Sequence, residues 1–160
     1  MNRFFNRSVL SALLILPLAN AIPALGSTVS QIATFEPLEK VEAVVTQDGS
    51  TFTVSVKSDV LAITKTITFE ALNDLHVQID DFNFDGMKDF AVWHVDDGMG
   101  TYTVHRIFVY QPEAGFFKEL TPACGDDFAN LRLERDKRTL LSTFWEMNEP
   151  KLCVTSFSPD

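Results

Sequence analysis

The chain has 160 residues, with 13 Lys and Arg against 22 Asp and Glu, a formal net charge of −9. That balance excludes nucleic acid as the default partner, because phosphate repels an acidic surface. It favours a basic partner, whose approach an acidic domain steers, although the same charge also serves plain solubility.

Arg3 and Arg7 precede an apolar run over 9–18, and Ala19-Asn20-Ala21 supplies a small-residue cleavage pattern. Together these read as a secretory signal peptide over 1–21, with an alternative cut after Gly26. The apolar run is shorter than the ~20 residues a membrane helix needs, and no later segment is long and apolar enough to cross. The expected product is periplasmic, spans no membrane after cleavage, and forms one domain over 27–160. About 135–140 residues suit a single domain with a real core. Removing the leader takes two Arg and no acid, so 11 basic residues face 22 acidic ones, a net charge of −11.

Residues 33–40 read as a turn of helix. From there the pattern is β. Strands over 41–45 and 51–57 flank Gln47-Asp48-Gly49-Ser50, a hairpin signal. A run over 60–69 is rich in Ile and Thr, and 75–79 is a short strand. It enters Asp81-Phe82-Asn83-Phe84-Asp85-Gly86-Met87-Lys88-Asp89, and a strand over 90–95 leaves it. Residues 101–110 alternate well, 116–118 form a short edge piece, and 131–134 with 139–145 flank the charged turn 135–138. A last strand covers 152–157. About eight regularly spaced strands predict an all-β fold, an antiparallel sandwich with one inter-strand calcium loop.

The acidic loop is the most informative motif. Oxygen-bearing side chains recur at every second position, as a hard cation with six to eight oxygen ligands requires. Asp81, Asn83 and Asp85 supply three of them. Gly86 permits the turn, the Met87 carbonyl is the next ligand, and Asp89 closes the site directly or through water. The loop is no helix-loop-helix hand, because position twelve is Val92 rather than Glu and both flanks are strands. The plain alternative is a metal-free Asx turn. Only one copy is present, which excludes a propeller built of such repeats.

Cys124 and Cys153 are the only cysteines, and an even count in an exported chain suggests one disulfide. It would close about 30 residues and contribute roughly 3–4 kcal/mol. Two buried free thiols are the alternative.

The stretch 77–120 resembles a group of periplasmic β-sandwich proteins. The group includes inhibitors of invertebrate-type lysozymes and immunity proteins against peptidoglycan hydrolases delivered by type IV secretion. The likeness rests on Asn83 to Gly86, on Asp89 and on the turn Asp97-Gly98-Met99-Gly100-Thr101-Tyr102. Phe108-Val109-Tyr110, followed by Phe116-Phe117-Lys118-Glu119-Leu120, completes it. What the resemblance implies is a non-enzymatic protein that plugs the cleft of a basic, lysozyme-like hydrolase. Such inhibitors present a Ser-Gly loop ending in Tyr. Here the corresponding loop comprises Asp97, Gly98, Met99, Gly100, Thr101 and Tyr102, with Asp97 where Ser is common. Two rival classes are an envelope binding or adhesion module and a glycan hydrolase with Asp97 as acid. His76, His94 and His105 lack zinc-site spacing, and Trp93 and Trp145 read as core.

Overall fold

The computed structural model describes residues 29–98 and 100–158. The expected leader over 1–21, its alternative cut after Gly26, and Met99 of the glycine loop lie outside the described residues. Eleven strands follow in chain order: β1 (Ser30–Phe35), β2 (Glu42–Asp48), β3 (Thr51–Lys57), β4 (Ala62–Thr68), β5 (His76–Asp80), β6 (Asp89–Val95), β7 (Thr103–Gln111), β8 (Phe116–Leu120), β9 (Phe128–Glu134), β10 (Thr139–Glu146) and β11 (Glu149–Ser156). No α-helix occurs among the described residues, hence none able to cross a membrane.

Two antiparallel sheets make a β-sandwich. One has the order β1-β2-β3-β4; the other runs β11-β10-β9-β7-β6-β5, with β8 paired to β7. The helical turn expected over 33–40 is instead the end of β1 and the bend that follows it. A register shift between Gln31 and Ala33 interrupts pairing with β2. Such an irregularity breaks the period-two pattern by which a strand is recognised.

Alternation decides which side chains are buried. Ala43 and Val45 of β2 and Phe52, Val54 and Val56 of β3 point inward. Register sets Val45 opposite Val54 and Ala43 opposite Val56. They meet Phe90, Val92, Phe108 and Tyr110 from the second sheet. Phe90 lies opposite Phe108, and their rings stack at 4.8 Å; such a pair adds about 0.5–1.5 kcal/mol to burial alone.

The seven-stranded sheet buries its other face as well. Ala91, Ile107 and Val109 alternate with the residues just named and join Phe82, Phe84, Phe128 and Leu140 in a second cluster. Phe82 and Phe84 belong to the acidic loop, so that loop plugs the far face of the sheet. Each buried Phe contributes roughly 1.5–3 kcal/mol, and these two hold the loop down.

Cys124 and Cys153 form a disulfide with a Cα–Cα distance of 5.8 Å, which excludes the free-thiol alternative. It fastens the connection between β8 and β9 to β11. A hydrogen bond from the Ala123 N–H to Thr155 Oγ1 (3.0 Å) reinforces that join.

Candidate functional site

In the loop between β5 and β6 the polar residues face one way and the aromatic residues the other. Phe82 and Phe84 are buried while Asp81, Asn83 and Asp85 remain half-buried. Gly86 has φ +89°, a conformation that costs a glycine little. Phe84, at φ 62°, takes a left-handed backbone that disfavours a side chain, and burial of its ring in the second cluster offsets that strain.

The loop is knit by its own side chains. Asp81 accepts the N–H of Asp85 on Oδ1 (3.1 Å) and that of Gly86 on Oδ2 (2.9 Å). Asp85 accepts the Met87 N–H on Oδ1 (2.8 Å) and an Asn83 amide N–H on Oδ2 (2.6 Å). The Lys88 N–H donates to the Pro37 carbonyl (3.0 Å), joining the loop to the connection that follows β1. Arg135 grips both oxygens of Asp80 at 2.7 Å on the strand just before it.

Asp89 is placed differently. It is fully buried, and its oxygens accept the N–H of Phe82 (2.9 Å) and of Tyr110 (2.8 Å). One carboxylate thus pins the loop to β7. Burial pushes its pKa up to about 7, against the opposing pull of the two N–H donors; the charges of Asp85 and Asp81 add to the rise.

The donors suit a hard cation in chemistry and in order, being oxygens spaced along a glycine bend. Asp81, Asn83, Asp85 and the Met87 carbonyl fit that set. Asp89 fits as a pin beneath the loop, since both its oxygens are engaged. Among the described residues, no three His, Cys, Asp or Glu side chains are gathered into a metal-holding cluster.

The glycine loop between β6 and β7 is braced at its base. The Asp96 N–H donates to the Tyr102 carbonyl (2.8 Å), closing the neck. Asp97 Oδ1 accepts the N–H groups of Leu72 (3.0 Å) and Asn73 (3.1 Å). The Asn73 amide returns two bonds to the Val95 and Asp96 carbonyls, each 3.2 Å. The Asp97 carboxylate therefore turns back onto its own chain. Tyr102 packs on Trp145, with ring centroids 4.8 Å apart and planes tilted by 42°. The Tyr102 hydroxyl hydrogen-bonds the Asp96 carboxylate, which raises the phenol pKa above its ordinary value.

Trp145 corrects the core expectation. It is 45% exposed, because it lies toward the end of β10, beyond the part of the sheet that packs inward. No local sequence signal marks that position. Trp93 is half-buried and stacks between His76 (4.3 Å) and His105 (5.8 Å).

His105 is the one buried histidine among the described residues. Burial lowers its pKa to about 4; a hydrogen bond to the Phe128 carbonyl opposes the shift and the charge of His94 adds to it. The folded state keeps the ring neutral while the unfolded chain takes up a proton below about 6.5. The stability this contributes is present above pH 6.5 and is lost as pH falls toward 4. Asp89 acts with opposite sign across that range, since its folded pKa is raised. A His105→Gln variant therefore reads the histidine better than the bare pH profile does. The stability gap between wild type and variant should shrink from pH 6.5 to 4 in urea titrations; a constant gap would remove this assignment.

Neither a family model, a curated protein nor a solved structure matches the chain, so the two loops must be judged on their own chemistry.

Proposed function

We propose that this chain is an exported, calcium-braced β-sandwich that binds and inhibits a basic, lysozyme-like peptidoglycan hydrolase, and that it is not itself an enzyme. The observation that carries this reading is the rigid base of the 96–102 loop. Its neck is closed by a backbone bond, its flank is tied by Asp97 and Asn73, and Tyr102 is seated on Trp145. A loop whose base is held loses less freedom on binding, and that raises affinity. A Tyr at its root is the kind of side chain that dominates interfaces. Gly98, Gly100 and Thr101 belong to the tip, and Asp97 serves as a brace.

The mature charge of −11 favours encounter with a basic enzyme. The disulfide supports an oxidising, extracytoplasmic location such as the periplasm. Two backbone N–H groups occupy one oxygen of the Asp97 carboxylate, the oxygen that also lies 3.8 Å from His94 Nδ1, which suits a brace better than a catalytic acid.

Asp81, Asn83, Asp85 and the Met87 carbonyl would hold calcium, with Asp89 supporting from beneath. When bound, the ion would offset repulsion among the loop carboxylates and lock the β5–β6 corner. Extracellular modules hold such ions with Kd of about 10⁻⁴–10⁻³ M. Millimolar calcium should therefore raise the melting temperature, a chelator should reverse the rise, and Asp85→Ala should lower stability and abolish both responses. Wild-type melting that is indifferent to calcium and chelator would remove the metal from the proposal.

The direct test of function is inhibition of purified basic muramidases at a near-equal molar ratio. Binding without inhibition would favour the adhesion or binding module instead. Release of peptidoglycan fragments by the protein alone would overturn the proposal in favour of an enzyme.

A further inference from the structure

Beside the Tyr102–Trp145 pair lies a groove of about 280 Å³. Val104, Ala129 and Thr143 line it, and Asp126 and Asp127 stand at its lip. Three remote segments build it: the start of β7, the disulfide-tied connection with the first residues of β9, and β10. From these surroundings we infer that the groove receives an arginine side chain of a basic protein partner. The inference deepens the function proposed above and rests on that reading for the identity of the partner.

Charge and aromatic surface together select the occupant. Asp126 and Asp127 are exposed and form no salt bridge among the described residues. Arg106, whose charge Asp127 also supports, is already held in a two-pronged pair by Glu119, at 2.6 and 2.8 Å. The Asp96 carboxylate lies against the Tyr102 hydroxyl. Carboxylates beside exposed aromatic faces suit a planar cation, which gains both a salt bridge and a cation–π contact. A neutral sugar could stack on Trp145 but would gain nothing from the charge. Arginine is preferred to lysine because its flat fork both stacks and pairs with carboxylates.

The surroundings suit a protein surface rather than a free small molecule. On β11, Leu152 and Val154 are 59% and 45% exposed, and Leu152 lies opposite Thr143 of the groove. An apolar strip therefore runs from Trp145 along an edge strand. An apolar contact area with a charged pocket at its side is the composition of a protein interface.

The test uses the full mature protein with an acetylated tetra-arginine peptide, its uncharged citrulline counterpart and chitotetraose, followed through the Trp145 indole N–H signal in NMR. The tetra-arginine peptide is expected to shift that signal, the other two probes much less. Asp126→Asn with Asp127→Asn should weaken binding about tenfold, and Trp145→Ala at least as much. A control pair on exposed positions elsewhere, Asp48→Asn with Asp59→Asn, changes net charge equally and should leave the affinity within about twofold. Equal weakening by both pairs would reduce the effect to overall charge and overturn the inference. So would equal binding of the citrulline peptide or the sugar.

Muramidase inhibition separates this inference from the function on which it rests. Full inhibition by the Asp126→Asn/Asp127→Asn variant would sink the groove alone. Arginine binding as expected, without inhibition by wild type, would sink the muramidase reading alone.

Discussion

Asp89→Ala is expected to lower folding stability by roughly 3–5 kcal/mol, because two buried N–H groups lose the carboxylate that accepts them and a cavity replaces it. In a domain of this size that corresponds to a fall in melting temperature of about 10–20 °C. The contrast with Asp81 shows why. Asp81 also accepts two backbone N–H groups, from Asp85 and Gly86, but it is half-buried and Gly86 is exposed. Water can replace it, so Asp81→Ala should cost about 1–2 kcal/mol in a calcium-free buffer. Asp89→Asn should recover less than half of the Ala loss. Its oxygen restores one bond, and its NH₂ group confronts the second N–H donor. A urea titration in chelator that found Asp89→Ala within about 1 kcal/mol of wild type would remove the pin from the account.

The loop motif was legible in sequence because its chemistry is local: five oxygen donors and a glycine within nine residues. The second role of Asp89 was not. It depends on the Tyr110 N–H, 21 residues away, which only the pairing of β6 with β7 brings near. The buried positions of Phe82 and Phe84 were likewise hidden, since in sequence they are merely the residues between ligands. The hairpins were readable where alternation was clean, as in β2 and β3, and β1 was lost where the Gln31–Ala33 shift broke it. The groove had no sequence signature at all. Tyr102, Asp127 and Trp145 are distant in the chain, and Trp145 looks like core until the end of β10 is placed outside the packed layer.

The cysteine pair could be read from its count, and what depends on it follows from the fold. Exchanging both residues, Cys124→Ser with Cys153→Ser, should cost roughly 3–4 kcal/mol for a separation of 29 residues. The melting temperature should drop by about 10–15 °C. The loss has a local consequence as well. The connection that carries Asp126 and Asp127 contains Cys124, and its described ties to β11 are this disulfide and the Ala123–Thr155 hydrogen bond. Without the covalent tie the acidic lip is free to move away from Trp145, so at a temperature where the variant is still folded its tetra-arginine affinity should fall severalfold. Differential scanning calorimetry and the peptide titration read the two effects separately. Melting temperatures within about 2 °C of each other for the oxidised protein and the double variant would show that loop closure contributes little here. If instead stability falls and arginine affinity stays unchanged, the lip is held by its own packing, and the bridge serves the fold without shaping the groove.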